Sequence, residues 1–181
     1  MCIRDSYIHG DVGVGKTMVC NEFYQFADVK KKKTHFNKFM IEVHDFLQQN
    51  QGNDKSDNLL VQFARSLKEK INLLYFDEFQ VTNIVDAMIL GKLFESLFDE
   101  KIFILITSNI KINDLYKEGL QREQFLPFLK IIKNKMVEYE LKGDVDFRKQ
   151  DVTKINRFFY PNDKKALSSI NQLFRKLTKD R

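Results

Sequence analysis

The chain has 181 residues, 43% of them apolar, which is enough to bury a sizeable core and excludes a disordered polymer. Thirty Lys and Arg against twenty-five Asp and Glu leave a formal charge of +5, spread along the chain, which excludes a concentrated basic arm and is small enough for ATP alone to satisfy. Cys2 and Cys20 show no CxxC or CxxH spacing, His9, His35 and His44 are scattered, no apolar run reaches the length of a membrane span, and residues 1–6 lack a secretory signal. The expectations are a reducing, cytoplasmic setting, no zinc, no transmembrane segment and no nucleic-acid partner.

In chain order, "YIHG" enters a glycine-rich loop and "KTMVCNEFYQFADVKK" follows as a helix, with Val19, Phe23, Phe26 and Ala27 at helical spacing. Cations favour a helix C-terminus, so the run Lys30 to Lys33 reads as a solvated helix end rather than a nucleic-acid patch. "THFNKF" reads as a short second strand, "FMIEVHDFLQQ" as a helix, "QGNDKSDN" as a polar loop and "LLVQFARSLKEK" as another helix. "INLLYFDE" and "KIFILITSN" are continuous apolar runs that end in polar residues, the pattern of strands buried on both faces of a parallel sheet. "KMVEYELKGDVDFR" alternates with period two around Lys142-Gly143-Asp144, which predicts a last strand and a hairpin-like turn. Beyond "YPND", the positions Ala166, Leu167, Ile170, Leu173, Phe174 and Leu177 predict a helix that starts near Asn162 or Asp163. The expected architecture is α/β, with a nucleotide-binding core over residues 1–148 and the beginning of a helical second domain over 149–181.

Three motifs carry chemistry. "GDVGVGKT" fits the Walker A pattern G-x-x-x-x-G-K-[ST] and lies between a predicted strand and a predicted helix, the context the pattern requires. The candidate nucleotide-binding residues are Gly10, Asp11, Val12, Gly13, Val14, Gly15, Lys16, Thr17 and Met18. The glycines let backbone N–H groups turn toward phosphate oxygens, Lys16 reaches the β- and γ-phosphates, and Thr17 offers its hydroxyl to Mg²⁺. "LLYFDE" places Asp77 and Glu78 at the C-terminal end of a strand, where a parallel sheet carries its ligand crevice. Asp77 is the candidate metal residue, acting through a water. Glu78 is the candidate general base, and an adjacent glutamate argues for hydrolysis over a kinase or switch. "ILITSN" ends in Asn109, a candidate for orienting the attacking water between the acidic pair and the γ-phosphate; a small polar residue ending a strand is the plainer alternative.

The blocks "YIHGDVGVGKTM", "HFNKFMIEVHDFL", "LLYFDEFQVTNIVDAMILGKLFESLF", "TSNIKINDLYKEGLQREQFLPF" and "GDVDFR" resemble the ZapE family of cell-division AAA+ ATPases, related to the mitochondrial lactation-elevated ATPase. The resemblance runs from about Tyr7 to the chain's end. It implies a P-loop NTPase of AAA+ type with a parallel sheet flanked by helices and the start of an α-helical lid. It further implies Mg-ATP hydrolysis, homo-oligomer assembly, and in bacteria an interaction with FtsZ at the division site; a eukaryotic relative would be mitochondrial. Members of that family carry a substantial segment before the phosphate loop and a lid arginine, so the resemblance implies a fragment at both ends. In "LQREQF", Arg122 falls where AAA+ proteins place a trans-acting arginine finger, with a solvated helix arginine as the alternative. Gln80 reads equally as a ligand contact or as packing, and Phe36, Phe39 and Phe46 read as packing rather than base-stacking platforms. The runner-up function is a helicase-loader-like AAA+ replication factor. A small-acceptor kinase and a nonhydrolysing scaffold fit less well.

Overall fold

A computed structural model describes residues 5–50, 56–143, 160 and 164–178. The chain divides into two compact units, Met1–Asp144 and Val145–Arg181. The first contains β1 (Ser6–His9), α1 (Lys16–Phe26), β2 (Lys31–His35), α2 (Phe36–Gln49), α3 (Ser56–Lys70), β3 (Leu73–Asp77), α4 (Ile84–Asp99), β4 (Phe103–Ser108), a 3₁₀ turn (Ile112–Asp114), α5 (Arg122–Lys135) and β5 (Val137–Glu140). The described part of the second is the helix α6 (Lys164–Thr178), on which Ala166 is buried and Leu167 and Ile170 are exposed. No helix among the described residues is long and apolar enough to cross a membrane.

The five strands form one sheet in the order β2-β3-β4-β1-β5, and every pairing is parallel. All five residues of β3 are buried, as are five of the six in β4, because helices cover both faces of the sheet. Period-two alternation sorts their side chains into two cores. Tyr7, Leu74, Phe76, Ile104 and Ile106 face the large core with α2, α3, α4 and α5. Leu73, Tyr75 and Leu105 face a smaller one beneath α1, closed by Cys20 and by Ile8, Phe23, Tyr24 and Ala27. In the large core Phe79 lies 4.5 Å from Phe36 and 6.3 Å from Phe128, ring centre to ring centre. Phe36 and Phe39 are fully buried and Phe46 packs against the same core, its ring 5.4 Å from that of Phe63, so these rings are core.

Several local expectations need correction. The lysine run is not the end of α1. That helix stops at Phe26, Ala27 turns to extended backbone, and Lys31 to Lys33 form the edge strand β2. Lysine suits an edge strand, because a charged rim resists pairing with another chain. Lys31 nonetheless caps α1 from the strand: its Nζ donates to the carbonyls of Tyr24, Gln25 and Ala27 at 2.6–2.9 Å. Of the expected second strand, only Thr34 and His35 are extended; α2 begins at Phe36. The buried face of α1 centres on Lys16 and Cys20, whereas Val19 and Phe26 are 49% and 82% exposed. Both lie about 100° or more around the helix from Cys20, outside the stripe that meets the sheet. α3 starts at Ser56, inside the expected polar loop, and residues 51–55 lie outside the described residues. β5 pairs with β1 in parallel, and the expected return of a hairpin past Gly143 lies outside the described residues, as do Asn162 and Asp163.

Candidate functional site

The loop from Gly10 to Gly15 joins the C-terminal end of β1 to the start of α1. A Cβ on Gly10 would come within 2.2 Å of the Leu141 carbonyl oxygen, so no other residue fits beside the chain leaving β5. Gly13 and Gly15 hold φ of 88° and 90°, a left-handed conformation that side-chain-bearing residues adopt only at a cost. The curl brings Lys16 back over the loop: its Nζ donates to the carbonyls of Gly10 at 2.8 Å and Asp11 at 2.7 Å, and the residue is buried. Val12 and Met18 lie exposed on either side.

Asp77, the last residue of β3, is also buried, and four side chains converge on its carboxylate. Oδ1 accepts hydrogen bonds from the hydroxyls of Thr107 at 2.7 Å, Thr17 at 3.1 Å and Tyr75 at 3.2 Å. Oδ2 lies 2.9 Å from the ammonium of Lys33. Burial pushes the Asp77 pKa up, but the bonds from Lys33 and Thr107, the Lys33 charge and the Thr17 bond together hold it below the ordinary carboxylate value. The same environment pushes the neighbouring Cys20 thiol up to about 11, through burial first and the Asp77 charge second, so that sulfur stays protonated and unreactive.

Glu78 follows in the left-handed conformation, with φ of 59°, and is exposed. Its N–H faces Thr107 Oγ1 at 3.3 Å, and the next N–H, of Phe79, donates to the Thr107 carbonyl at 2.8 Å. Ser108 Oγ donates to the Phe79 carbonyl at 2.8 Å. These bonds tie the exits of β3 and β4 together, so the acidic pair and Asn109 project from one braced edge. Asn109 is exposed and lines a cleft of about 140 Å³ with His9, Gly10, Asp11, Lys111 and Glu140.

The sequence-derived site residues are therefore brought together with one exception. Lys16, Thr17, Asp77, Glu78 and Asn109 lie at the C-terminal ends of the adjacent strands β1, β4 and β3, or in the segments that leave them. Arg122 stands at the start of α5 and turns back on its own segment, its guanidinium donating to the carbonyls of Asn113 at 2.9 Å and Lys117 at 3.3 Å. Gln80 is exposed. Sequence reasoning missed Lys33, Thr107 and Tyr75. Once Lys31 to Lys33 are placed on a strand, alternation puts Lys33 on one face and Lys32 on the other, and the register Lys33↔Tyr75 sets that ammonium beside the Asp77 face of β3.

The donor set suits a magnesium nucleotide. A glycine cradle in which a Cβ at Gly10 would collide and Gly13 and Gly15 hold positive φ, a lysine that donates to two loop carbonyls, and an aligned hydroxyl and carboxylate are what polyphosphate and a hard cation take. Fold and site together define a P-loop nucleotide-binding α/β domain, in which β4 separates the strand leading to the phosphate loop from the strand bearing the acidic pair. The family model for AFG1-like ATPases matches residues 2–181, and the chain belongs to that family of AAA+ proteins. It is 37% identical over 181 residues to lactation elevated protein 1 homolog B of Danio rerio, covering 94% of this chain and 36% of that protein. It is 36% identical over 173 residues to cell division protein ZapE of Escherichia coli K12, covering 95% of this chain and 45% of that protein. The chain thus spans less than half the length of these curated relatives. Among solved structures, the DnaC helicase loader superposes with a TM-score of 0.55 at 11% identity, covering 77% of this chain and 78% of that one, a likeness of fold alone.

The depressed pKa of Asp77 gives a signed pH dependence. Its ionised contacts stabilise the fold fully above the ordinary carboxylate value of 3.8 and are lost as pH falls through the lower, folded-state value. Asp77→Asn is expected to lower stability at neutral pH and to flatten the acid limb below about pH 4, measured by chemical denaturation across a pH series.

Proposed function

We propose that this chain is the catalytic part of an ATPase that hydrolyses Mg-ATP. The observation that carries the reading is the Thr17–Asp77 hydrogen bond at 3.1 Å, which joins the phosphate loop to the acidic strand end and leaves Glu78 free beside it. In this reading Gly10 to Met18 cradle the phosphates, Lys16 leaves the loop carbonyls for the β- and γ-phosphates, and Thr17 and Asp77 hold Mg²⁺, Asp77 through a water. Bound Mg-ATP supplies a charge-neutralised phosphoric anhydride whose terminal phosphoryl is open to in-line attack. Glu78 takes the proton from the attacking water, and Asn109 orients that water from the strand between loop and acids. The left-handed backbone at Glu78 supports this role, since strain of this kind persists where surrounding bonds over-determine it.

Lys16→Ala is expected to lose nucleotide affinity, because it removes the flexible cation that follows the β- and γ-phosphates. Glu78→Gln should keep nucleotide bound and lose turnover by a factor on the order of 10² or more. Calorimetric binding and phosphate release on each variant separate the two roles; wild-type turnover in Glu78→Gln would place the base elsewhere.

In the full-length protein, the segment 149–181, of which only residues 160 and 164–178 are described, begins a helical lid, copies assemble into a homo-oligomer, and Arg122 serves the neighbouring site as an arginine finger. Its present bonds to Asn113 and Lys117 would then be exchanged for a neighbour's γ-phosphate. Fingers are worth roughly 10³ to 10⁵ in rate, far beyond a surface arginine. Arg122→Ala should therefore bind ATP yet hydrolyse it poorly, and mixing it with inactive Glu78→Gln protein should restore some turnover, because some interfaces then pair an intact base with an intact finger. A mixture as inactive as its parts would remove the assignment.

The work of the ATPase in this reading is remodelling a protein partner in the cytoplasm, FtsZ at the division site if the chain is bacterial, or a mitochondrial partner if it is eukaryotic. Similarity to cell division protein ZapE supports this. Purified full-length protein should alter FtsZ polymers, seen by sedimentation, in an ATP-dependent way. A salt-sensitive shift of single-stranded DNA with no effect on FtsZ would favour a helicase-loader-like role instead.

A further inference from the structure

Lys33 is absent from the motifs that define the site, yet it makes the one ion pair to the Asp77 carboxylate among the described residues. Its side chain is about one-third exposed, and three groups on two elements, β3 and α1, fix its ammonium. Asp77 Oδ2 on β3 lies at 2.9 Å, Asn21 Oδ1 on α1 at 2.7 Å, and the ring centre of Tyr75 at 4.9 Å. The in-register pairing of Lys33 with Tyr75 makes this arrangement a consequence of the sheet rather than of a flexible side chain.

Taking the magnesium–nucleotide reading above as its basis, we propose that Lys33 is a positioning residue that sets the divalent-cation requirement of the site, by occupying Asp77 Oδ2 with a resident positive charge. Two cations then share one carboxylate. Three hydroxyls already use Oδ1, and Lys33 uses Oδ2, so a cation arriving beside Thr17 meets an Asp77 whose charge is largely neutralised from the β2 side. The ammonium, 2.9 Å from Asp77 Oδ2, would also repel a cation that the same carboxylate held. The functional consequence is a site that fills only when Mg²⁺ arrives with the extra negative charge of a polyphosphate, and that leaves Asp77 satisfied when it does not. An unpaired buried carboxylate would otherwise be strongly destabilising.

The test is a Mg²⁺ titration of the binding of a fluorescent ATP analogue to the 181-residue chain at neutral pH, with melting temperature followed in parallel. Lys33→Met keeps the length of the side chain and removes its charge; it should lower the Mg²⁺ midpoint by roughly three- to tenfold while lowering the melting temperature in the absence of ligand. Lys33→Arg retains the charge and should keep the midpoint within about twofold of the parent. If Lys33→Met does not fold, Lys33→Gln, which keeps a hydrogen-bond donor without the charge, gives the same comparison. A role confined to fold stability moves the melting temperature and leaves the Mg²⁺ midpoint in place, and that result overturns the proposal; so does a midpoint that rises. If the parent chain binds the analogue with no dependence on Mg²⁺, the magnesium–nucleotide reading and this inference fall together, whereas an unshifted midpoint against a Mg²⁺-dependent parent removes this inference alone.

Discussion

A buried carboxylate at the end of β3 organises this half of the molecule. Asp77 would be strongly destabilising without partners, since an ion taken out of water retains several kcal/mol of desolvation cost even after relaxation. Its partners come from α1, β2, β4 and β3 itself, through Thr17, Lys33, Thr107 and Tyr75. Satisfying one charge therefore fixes the start of the helix after the phosphate loop, the edge strand and two central strands relative to one another. The hydroxyl that belongs to the loop and the carboxylate that belongs to the strand are brought into contact by the same requirement.

Strand alternation lets chemistry and packing share five residues. Tyr75 and Asp77 point toward α1, while Leu74 and Phe76 point into the large core. The chain then passes through the left-handed Glu78, which re-aims it so that Phe79 enters the large core and Glu78 stays in solvent. Phe79 is anchored twice, by its ring among Tyr7, Phe36, Phe76, Phe94 and Phe128 and by backbone bonds to Thr107 and Ser108. The exposed acid is thus carried on a backbone that has little freedom to move. That is what a group needs if it must meet a water held elsewhere in the site.

The same economy appears in β2. Three successive lysines on an edge strand keep that edge from pairing, and each has a structural task besides, Lys32 by pairing with Glu42 of α2. Lys31 caps the carbonyls at the end of α1 and Lys33 neutralises Asp77, each ammonium lying over a tyrosine ring at 5.1 Å and 4.9 Å. A charge run that looks like solubility on a helix becomes, on a strand, three cations each paired with a neighbouring element.

By itself the sequence determined the parts whose signals are local. The Gly10 to Thr17 pattern depends on backbone freedom and spacing within a few residues, and the apolar runs ending at Asp77 and Asn109 mark strands buried on both faces wherever they lie. The parallel sheet, the helices between its strands and the family resemblance followed from those signals. Tertiary structure alone decided the strand order β2-β3-β4-β1-β5, because hydrophobic runs do not state which strand lies beside which. It also decided the fate of Lys30 to Lys33, where helix-end and edge-strand readings have the same composition and only the extended turn at Ala27 separates them. Thr107 was illegible for a related reason: it looks like an ordinary strand residue until the pairing of β3 with β4 sets it against Asp77. Tyr75, two residues before Asp77 on the same strand, shares its face by alternation alone and was within reach of the sequence. The contacts that tune the site reach across 30 to 60 positions of sequence, between Thr107 or Thr17 and Asp77, and no periodicity in one strand encodes its partner in another.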